Sequence, residues 1–364
     1  MEARMILFAF FLSFIAAYLA TPAVRRLAIM AGAVDKPDNL RKSHKEPKPS
    51  LGGLAIFFGA AMGLIFLSPI YVYIDAAILG AFMIVVTGLL DDMFNLKPYQ
   101  KLLGQALAAV IVISSGMVIE TLTLPFLGTV NLGLWGYGIT MIWIVGASNA
   151  INLIDGLDGL ASGVSAIALA RILVMAVMDG QILVISLCSV LIGAILGFLP
   201  HNFYPARIFM GDTGALFLGY SIAIVSMLGL FKNVAFFSFI VPIIVMAVPI
   251  FDTMQAMIRR IINRQAITTA DHKHIHYKLM ERGYSHRTTV LIIYGFSAFF
   301  GLMAIIFNSA TLLSSLVIFV IIIFGIRLIA EFTGMTYHNR KPLLKWISKW
   351  LPLDKKRVDR SNHP

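Results

Sequence analysis

Carboxylate, amide and histidine side chains are gathered in five short clusters of an otherwise apolar chain. The clusters occupy residues 48–53, 91–92, 149–158, 202–214, and Asp252 with 271–277. Carboxylate and amide oxygens are ligands that Mg²⁺ prefers, while Lys, Arg and His donate hydrogen bonds to phosphate oxygens. These residue types therefore predict chemistry on phosphate groups, assisted by a divalent cation.

Asp91 and Asp92 form an acidic pair at the end of an apolar segment, and Lys97 and Lys101 follow closely. Adjacent carboxylates repel each other, so the pair favours a compensating cation, either Mg²⁺ or a nearby Lys. A solvated helix terminus explains an isolated acidic pair equally well. The pair alone leaves both interpretations open.

The segment NAINLIDGLDGLASG is more specific. Four amide or carboxylate side chains recur in it at intervals of three residues: Asn149, Asn152, Asp155 and Asp158. This spacing places the first three near one face of a helix. Gly156 and Gly159 permit a tight turn whose backbone amides hold a polar ring or a phosphate. Helix capping by Asn and Asp is the alternative, but capping does not need four such residues.

Asp212 stands at the start of a long apolar segment, just after Phe209. Its carboxylate suits either Mg²⁺ or a simple N-cap. Phe209 suits stacking on a base or ordinary packing.

Asp252 ends the ninth apolar segment, and an amphipathic, basic stretch follows from 254 to 287. His272, His274 and His276 alternate there, a spacing that is a poor tetrahedral zinc set without Cys or Glu. Contact with phosphate by these histidines and by neighbouring Lys and Arg fits better. A helix lying on lipid headgroups is the alternative.

Hydrophobic residues make up 59% of the 364 residues and charged residues only 13%, which predicts a membrane protein. Helices long enough to cross the hydrocarbon core are predicted at 5–22, 51–68, 76–90, 102–119, 136–153, 159–178, 182–199, 213–230, 235–251, 289–307 and 311–330. The predicted fold class is all-α, a polytopic transmembrane helical bundle of about 11 helices, with a break at Pro242 or Pro249 in the ninth. Residues 1–330 are predicted to form one integral-membrane catalytic domain, followed by a basic cytoplasmic tail at 331–364.

Of the 29 Lys and Arg residues, all but four lie on one side of this topology. Such an excess marks the cytoplasmic side, so the N-terminus is predicted outside, and the C-terminus and all five clusters inside. Arg4 and Lys232 lie on the opposite side. Arg327 is expected to snorkel to the inner interface, whereas Arg171 lies deeper and is expected to be paired or to snorkel outward. The loop cations predict contact with anionic lipids rather than with nucleic acid.

Several functional classes are disfavoured by what the sequence lacks. It carries no P-loop or dinucleotide-binding glycine motif, and the single cysteine, Cys188, excludes disulfides and thiolate metal sites. A transporter of nucleotide sugars or lipid phosphates is the competing class. Transporters usually place ionisable residues at the membrane midplane and contain internal repeats, and neither feature is evident.

Four segments together resemble the signature sequences of the polyprenyl-phosphate N-acetylhexosamine-1-phosphate transferases (glycosyltransferase family 4): DDMFNLKPYQKLLGQ, NAINLIDGLDGLASG, NFYPARIFMGDTGALFLG and DHKHIHYKL. The resemblance runs from about residue 5 to residue 330. Within this family the chain looks most like the undecaprenyl-phosphate GlcNAc-1-phosphate transferases that initiate wall teichoic acid or O-antigen synthesis. The H-x-H loop favours that branch over the phospho-MurNAc-pentapeptide transferases, which remain the alternative.

The resemblance implies that UDP-GlcNAc and undecaprenyl phosphate react to give undecaprenyl-diphosphate-GlcNAc and UMP, at the cytoplasmic face of the plasma membrane. It implies Mg²⁺, or Mn²⁺ in its place, as cofactor, with Asp212 and Asn152 as its ligands. Catalytic roles fall on five carboxylates: Asp91, Asp92, Asp155, Asp158 and Asp212. Substrate contacts fall on Lys48, Lys101, Asn149, Asn152, Phe209, Asp252, His274, His276 and Arg282. A homodimer is compatible with the sequence.

Individual roles follow from the same resemblance. Asp91 would orient or deprotonate the lipid phosphate, with Asp92 in support. The uridine and its phosphates would be met by Asp155, Asp158 and Phe209, and the diphosphate or sugar by His274, His276 and Arg282. Lys48 and Lys101 would lie at the rim near phosphate. The chain departs from the family pattern at Tyr277, where a third His is common, and at Asn95, where some members carry Lys.

Overall fold

The computed structural model describes residues 3–35, 47–124, 128–230, 240–265, 274–308 and 310–334. Its helices are α1 Ala3–Met30, α2 Gly52–Leu67, α3 Ile74–Phe94, α4 Pro98–Ser114, α5 Trp135–Ile154, α6 Leu160–Met178, α7 Ile182–Asn202, α8 Gly211–Leu230, α9 Ile240–Val245, α10 Ala247–Ile262, α11 Ile275–Glu281, α12 His286–Asn308 and α13 Leu312–Thr333. Two small antiparallel sheets pair β1 (Val34–Asp35) with β2 (Lys48–Pro49), and β3 (Thr121–Leu124) with β4 (Gly128–Asn131).

The predicted helical membrane fold is confirmed. Among the described residues, eight helices are long and apolar enough to span a bilayer: α1, α3, α5, α6, α7, α8, α12 and α13. The shorter apolar helix α2 packs among them. Large apolar side chains on α1 and α13 are exposed, as expected of helices that face lipid. The protein is therefore a multi-pass integral membrane protein, while the number of crossings and their orientation stay predictions.

The predicted ninth span at 235–251 takes a different form in the structure. The six-residue helix α9 ends at Val245, and α10 begins at Ala247 and continues to Ile262. Pro249 has no N–H to donate to the carbonyl of Val245, four residues earlier, so the helical ladder is interrupted there. The short helix α11 has no counterpart among the predicted segments. Most of the predicted tail, from 335 onward, lies outside the described residues.

Arg171 satisfies the carbonyl that this break leaves without a helical donor. Its guanidinium is buried and donates to the backbone oxygen of Val245 at 3.2 Å, and also to the backbone oxygen of Ser297 on α12. Of the two alternatives expected for Arg171, the structure shows pairing, with backbone carbonyl oxygens as the partners, and not outward snorkelling. Carbonyl oxygens freed in an apolar interior are costly unless a donor reaches them, and Arg171 supplies that donor.

Helix α8 lies at the centre of the bundle, packed against α2, α3, α5 and α6. Two glycines allow its first turn to approach the neighbouring backbones. A Cβ atom on Gly53 would lie 2.0 Å from the backbone nitrogen of Gly214, and one on Gly88 would lie 2.4 Å from the Cα of Thr213. Small residues permit such close helix contacts in membranes. This packing brings the 48–53 segment and the end of α3 against the start of α8.

Candidate active site

A cavity of about 770 Å³ opens where α3, α5 and α8 end or begin. Seven of the predicted site residues line it: Asp91, Asp92, Asn152, Asp155, Asp158, Phe209 and Asp212. Sequence reasoning had not assigned roles to further lining residues, among them Asp35, Ser50 and Asn202. Asp35 could have been noticed only from its pairing with Lys48 across the β1–β2 sheet, a contact that no local pattern encodes.

Asp92 supports the start of α8 from the neighbouring helix. Its carboxylate accepts hydrogen bonds from the backbone N–H of Asp212 at 2.9 Å and from the backbone N–H of Thr213 at 3.0 Å. The first N–H groups of a helix have no partner within the helix, so a carboxylate there satisfies them and complements the helix dipole. Asp92 thereby sets the position of the Asp212 side chain.

Lys101, from α4, joins three of the predicted site residues. Its ammonium lies 2.8 Å from Oδ2 of Asp91, 3.0 Å from Oδ1 of Asp212 and 3.0 Å from Oδ1 of Asn152. Asn152 in turn donates to Asp212, and the other oxygen of Asp91 accepts the backbone N–H of Leu96 at 2.9 Å. Carboxylates from α3 and α8 are thus held together by one cation.

Asn149 belongs to the same three-residue pattern as Asn152 but does not line the cavity. It exchanges hydrogen bonds with the fully buried Gln105 of α4, at 2.5 and 3.4 Å, and donates to the carbonyl of Val145. The structure therefore places Asn149 in the packing between α4 and α5. Its predicted contact with substrate is not supported by this position.

Asp155 is half-buried at the end of α5, where several carboxylates converge. Burial, followed by the charges of Asp212, Asp92 and Asp158, raises its pKa to about 8. Near neutral pH the cavity thus holds more acidic groups than it can keep fully ionised. A bound cation would favour the ionised form.

Asp158 connects the turn after α5 to the 203–210 loop. It accepts the backbone N–H of Ala206 at 2.8 Å, and Lys48 lies 3.6 Å from the same oxygen. The Lys48 ammonium also lies 5.0 Å from the centre of the Phe209 ring. Phe209 is therefore held beside a cation at the cavity wall, a suitable surface for an aromatic base.

The histidine loop reaches the cavity at one wall. Asp252 is fully buried and accepts the backbone N–H of Ile275 at 2.9 Å, while its other oxygen lies 2.8 Å from Nδ1 of His274. The ring of His276 stacks parallel to that of His274. Neither Asp252 nor His274 lines the cavity, so both support the loop from behind.

His276 lies directly behind the cavity-lining Gly156. A Cβ atom on Gly156 would lie 2.3 Å from Nε2 of His276, so only glycine admits the ring there. Burial lowers the pKa of His276 to about 4, which leaves the ring neutral near pH 7. Among the described residues neither ring nitrogen has a hydrogen-bond partner.

Tyr277 lines the cavity although no contact was predicted for it, whereas Arg282, for which a contact was predicted, does not. Tyr277, which stands where a third His is common, lines the cavity, and its ring packs on His276. Arg282 does not line it. Its guanidinium instead packs against Gly334 at the end of α13, where an added Cβ atom would lie 2.5 Å from Nη2 of Arg282. The predicted contact of Arg282 with diphosphate or sugar thus lacks support from its position. The loop residues 271–273 lie outside the described residues.

The cavity suits a hard cation by its chemistry. Its described lining contains six carboxylates, those of Asp35, Asp91, Asp92, Asp155, Asp158 and Asp212, and no Lys or Arg. In the described part of the chain no three His, Cys, Asp or Glu side chains are already grouped around one point. The ammonium of Lys101 instead occupies the space between Asp91 and Asp212. Oxygen donors and excess negative charge nevertheless fit Mg²⁺.

The fold and the site define a multi-pass membrane enzyme with an acidic cavity at helix ends, and comparison with known proteins agrees. The model of glycosyl transferase family 4 matches residues 74–230. The chain is 49% identical over 348 residues to a probable undecaprenyl-phosphate N-acetylglucosaminyl 1-phosphate transferase of Bacillus subtilis, covering 94% of this chain and 96% of the relative. The chain belongs to glycosyl transferase family 4.

Two further relatives show how the similarity is distributed. A decaprenyl-phosphate N-acetylglucosaminephosphotransferase of Mycolicibacterium smegmatis is 36% identical over 310 residues, covering 76% of each chain. A phospho-N-acetylmuramoyl-pentapeptide-transferase of Limosilactobacillus reuteri is 40% identical over 201 residues, covering 50% of this chain and 61% of the relative. Among these relatives, similarity to those named for N-acetylglucosamine extends over more of the chain.

Proposed function

We propose that this enzyme transfers GlcNAc-1-phosphate from UDP-GlcNAc to undecaprenyl phosphate, giving undecaprenyl-diphosphate-GlcNAc and UMP. The observation that carries the proposal is that Lys101 joins Asp91 and Asp212, two carboxylates that line an acidic cavity. The 49% identity with the Bacillus subtilis relative supports the choice of sugar and lipid. The much shorter match to the pentapeptide transferase makes that alternative weaker.

In the proposed reaction an oxygen of the lipid phosphate attacks the sugar-linked phosphorus of UDP-GlcNAc. The bond from that phosphorus to UMP breaks as the new phosphorus–oxygen bond forms. Asp91 is proposed to accept the proton of the lipid phosphate, and Leu96 N–H and Lys101 hold its carboxylate in position. Lys101 supplies positive charge where the two anionic substrates meet.

Mg²⁺, when bound, would neutralise phosphate charge and polarise the reacting phosphorus. Asp212 and Asn152 are the residues proposed to hold it, since both carry oxygen donors and both already contact one cation, Lys101. Phe209 would stack on the uracil ring, and Asp155 and Asp158 would face the uridine and its phosphates. His276, directly behind Gly156, is proposed to act on the diphosphate or sugar.

The cavity is proposed to face the cytoplasm, where sugar nucleotides are made, and the protein to lie in the plasma membrane. The asymmetry of Lys and Arg along the chain supports this orientation. The product would enter a cell-wall polymer of the teichoic acid or O-antigen type. Anionic lipids at the inner leaflet would contact the basic loops.

The proposal is tested by incubating the purified full-length chain with undecaprenyl phosphate and, in parallel, UDP-GlcNAc, UDP-GalNAc or UDP-MurNAc-pentapeptide. We expect UMP release with UDP-GlcNAc only, and its loss in excess EDTA. Undiminished transfer in EDTA would refute the metal, preference for UDP-MurNAc-pentapeptide would refute the sugar, and uptake of intact UDP-GlcNAc without UMP would indicate a transporter.

Residue assignments are tested in the same assay. Asp212→Asn and Asp91→Asn should each lose at least about a hundredfold in turnover, because each removes a charge that acts in the transition state. Asp75→Asn, at the opposite end of α3 and exposed, is the matched control and should behave like the wild type. Normal turnover in both site variants would refute the proposed site.

A further inference from the structure

A second cavity, of about 480 Å³, lies between the end of α1 and the loop that precedes α8. Its lining includes Arg25 of α1, Lys48 of β2, His201 at the end of α7 and Arg207 within that loop. It shares no lining residue with the candidate active site, from which Asp158 and Phe209 separate it. No role in the proposed transfer has been given to Arg25, His201 or Arg207.

The charges of this cavity are of one sign. Three Lys or Arg residues line it, and none of its described lining residues is acidic. The Nε of Arg25 donates to the backbone oxygen of Arg207 at 3.2 Å, which holds the α1 end against the loop. Guanidinium groups placed in this way present planar pairs of donors that match phosphate oxygens.

A buried nitrogen provides an independent indication of a ligand. The Nε2 atom of His201 is inaccessible to solvent and has no hydrogen-bond partner among the described residues. Buried polar atoms in folded proteins are nearly always satisfied, so an exception calls for a partner such as a bound ligand.

The place of the cavity in the fold suggests where the anion comes from. Thr21 and Pro22 of α1 line it, directly after the apolar part of that helix, and Arg25 follows one turn later. Cations in that position lie at the level of lipid headgroups. We propose that the second cavity binds a phosphate group, through Arg25 and Arg207, independently of the transfer reaction. A lipid headgroup and free phosphate share this chemistry.

The experiment measures lipid binding to the purified full-length chain by native mass spectrometry, with phosphatidylglycerol and phosphatidylcholine of equal acyl chains as probes. The variants are Arg207→Gln, Arg207→Lys and the control Arg26→Gln, an exposed neighbour of Arg25 that does not line the cavity. The backbone N–H and oxygen of Arg207 bond to His201 and Arg25 and are retained in both Arg207 variants. The fold should therefore persist, which melting temperatures without added lipid will verify.

We expect Arg207→Gln to weaken phosphatidylglycerol binding by at least about tenfold, the effect of losing one charge-assisted hydrogen bond. Arg207→Lys should retain most of the affinity, and Arg26→Gln all of it. Displacement of phosphatidylglycerol by inorganic phosphate would show that free phosphate also occupies the site. Equal binding in wild type and Arg207→Gln, equal losses in Arg207→Gln and Arg26→Gln, or no preference over phosphatidylcholine would overturn the proposal.

Discussion

The carboxylate of Asp92 accepts hydrogen bonds from both the backbone N–H and the hydroxyl of Thr213, at 3.0 and 2.6 Å. The two residues come from α3 and α8 and are 121 positions apart in the chain. The contact attaches the end of one membrane helix to the first turn of another. Asp212, the residue before Thr213, depends on this attachment for its position.

Thr213→Val removes the hydroxyl donor while nearly preserving the shape of the side chain. We expect the free energy of unfolding to fall by about 1.5–3 kcal/mol, the range for hydrogen bonds to charged groups. The rate of UMP release should fall as well, because Asp212 is less firmly held. Denaturation in detergent and the transfer assay measure the two effects. Thr333→Val is the control, since Thr333 is equally buried but donates only within its own helix; equal loss of activity in both variants would count against this role of Asp92.

Lys101→Met tests the cation between Asp91 and Asp212. Turnover should fall by about 10²- to 10³-fold, as for the loss of one electrostatic contact in a transition state. The Mg²⁺ concentration that gives half-maximal activity should fall, because two carboxylates without their ammonium attract a divalent cation more strongly. Lys97→Met, an exposed lysine at the start of the same helix, should change neither quantity. A rise in the Mg²⁺ requirement of Lys101→Met would contradict this interpretation.

The raised pKa of Asp155 has a consequence for stability without divalent cations. Its pKa is about 8 in the folded protein and 3.8 in its ordinary environment, so between these values the folded state binds the proton more tightly. Stability therefore falls as pH rises from about 4 to about 8, and changes little above that range. Asp155→Asn, which cannot ionise, should remove this contribution.

Thermal unfolding in EDTA at pH 5 to 9 measures the effect. The melting temperature of Asp155→Asn should exceed that of the wild type by a margin that widens toward pH 8. Asp179→Asn, an exposed carboxylate after α6, should show no such trend. A constant difference between Asp155→Asn and wild type across this range would show that Asp155 is not the titrating group.

Asp252→Asn tests the support of the histidine loop. The variant keeps an oxygen for Ile275 N–H but turns an amide nitrogen toward Nδ1 of His274, which favours the other tautomer of the ring. Loss of a carboxylate that orients a metal-ligating histidine typically costs about 10- to 100-fold in activity. By analogy we expect a loss of kcat in this range with an altered pH profile. Glu281→Gln, an exposed carboxylate on α11, is the control. An unchanged pH profile would indicate a purely structural role for Asp252.

The helical membrane class was predictable because it depends on local composition. Each of the eleven predicted segments overlaps a helix of the structure. The break between α9 and α10 was also predictable, because Pro249 cannot donate to the carbonyl four residues earlier. The donor that satisfies that carbonyl, Arg171 on α6, could not be identified, since helix periodicity carries no information about which neighbour lies opposite.

For the site as well, the residue types were predictable from the sequence but their partners were not. Asn149 and Asn152 have the same residue type and the same spacing, yet Gln105 of α4 engages the first and Lys101 of the same helix engages the second. The difference arises because Asn152 lies one turn nearer the cavity. Asp252 is a further example. The sequence predicts that its carboxylate contacts substrate, whereas the structure places it behind His274.

The sequence by itself determined that this is a polytopic membrane protein with acidic, amide and basic clusters, because hydropathy and residue chemistry are local properties. Only the tertiary structure decided which side chains meet: Asp92 with the start of α8, Lys101 between Asp91 and Asp212, and Arg171 at the break after Val245. These contacts join helices far apart in the chain. They depend on how closely the helices pack, which residues such as Gly53 and Gly88 permit but no local pattern specifies.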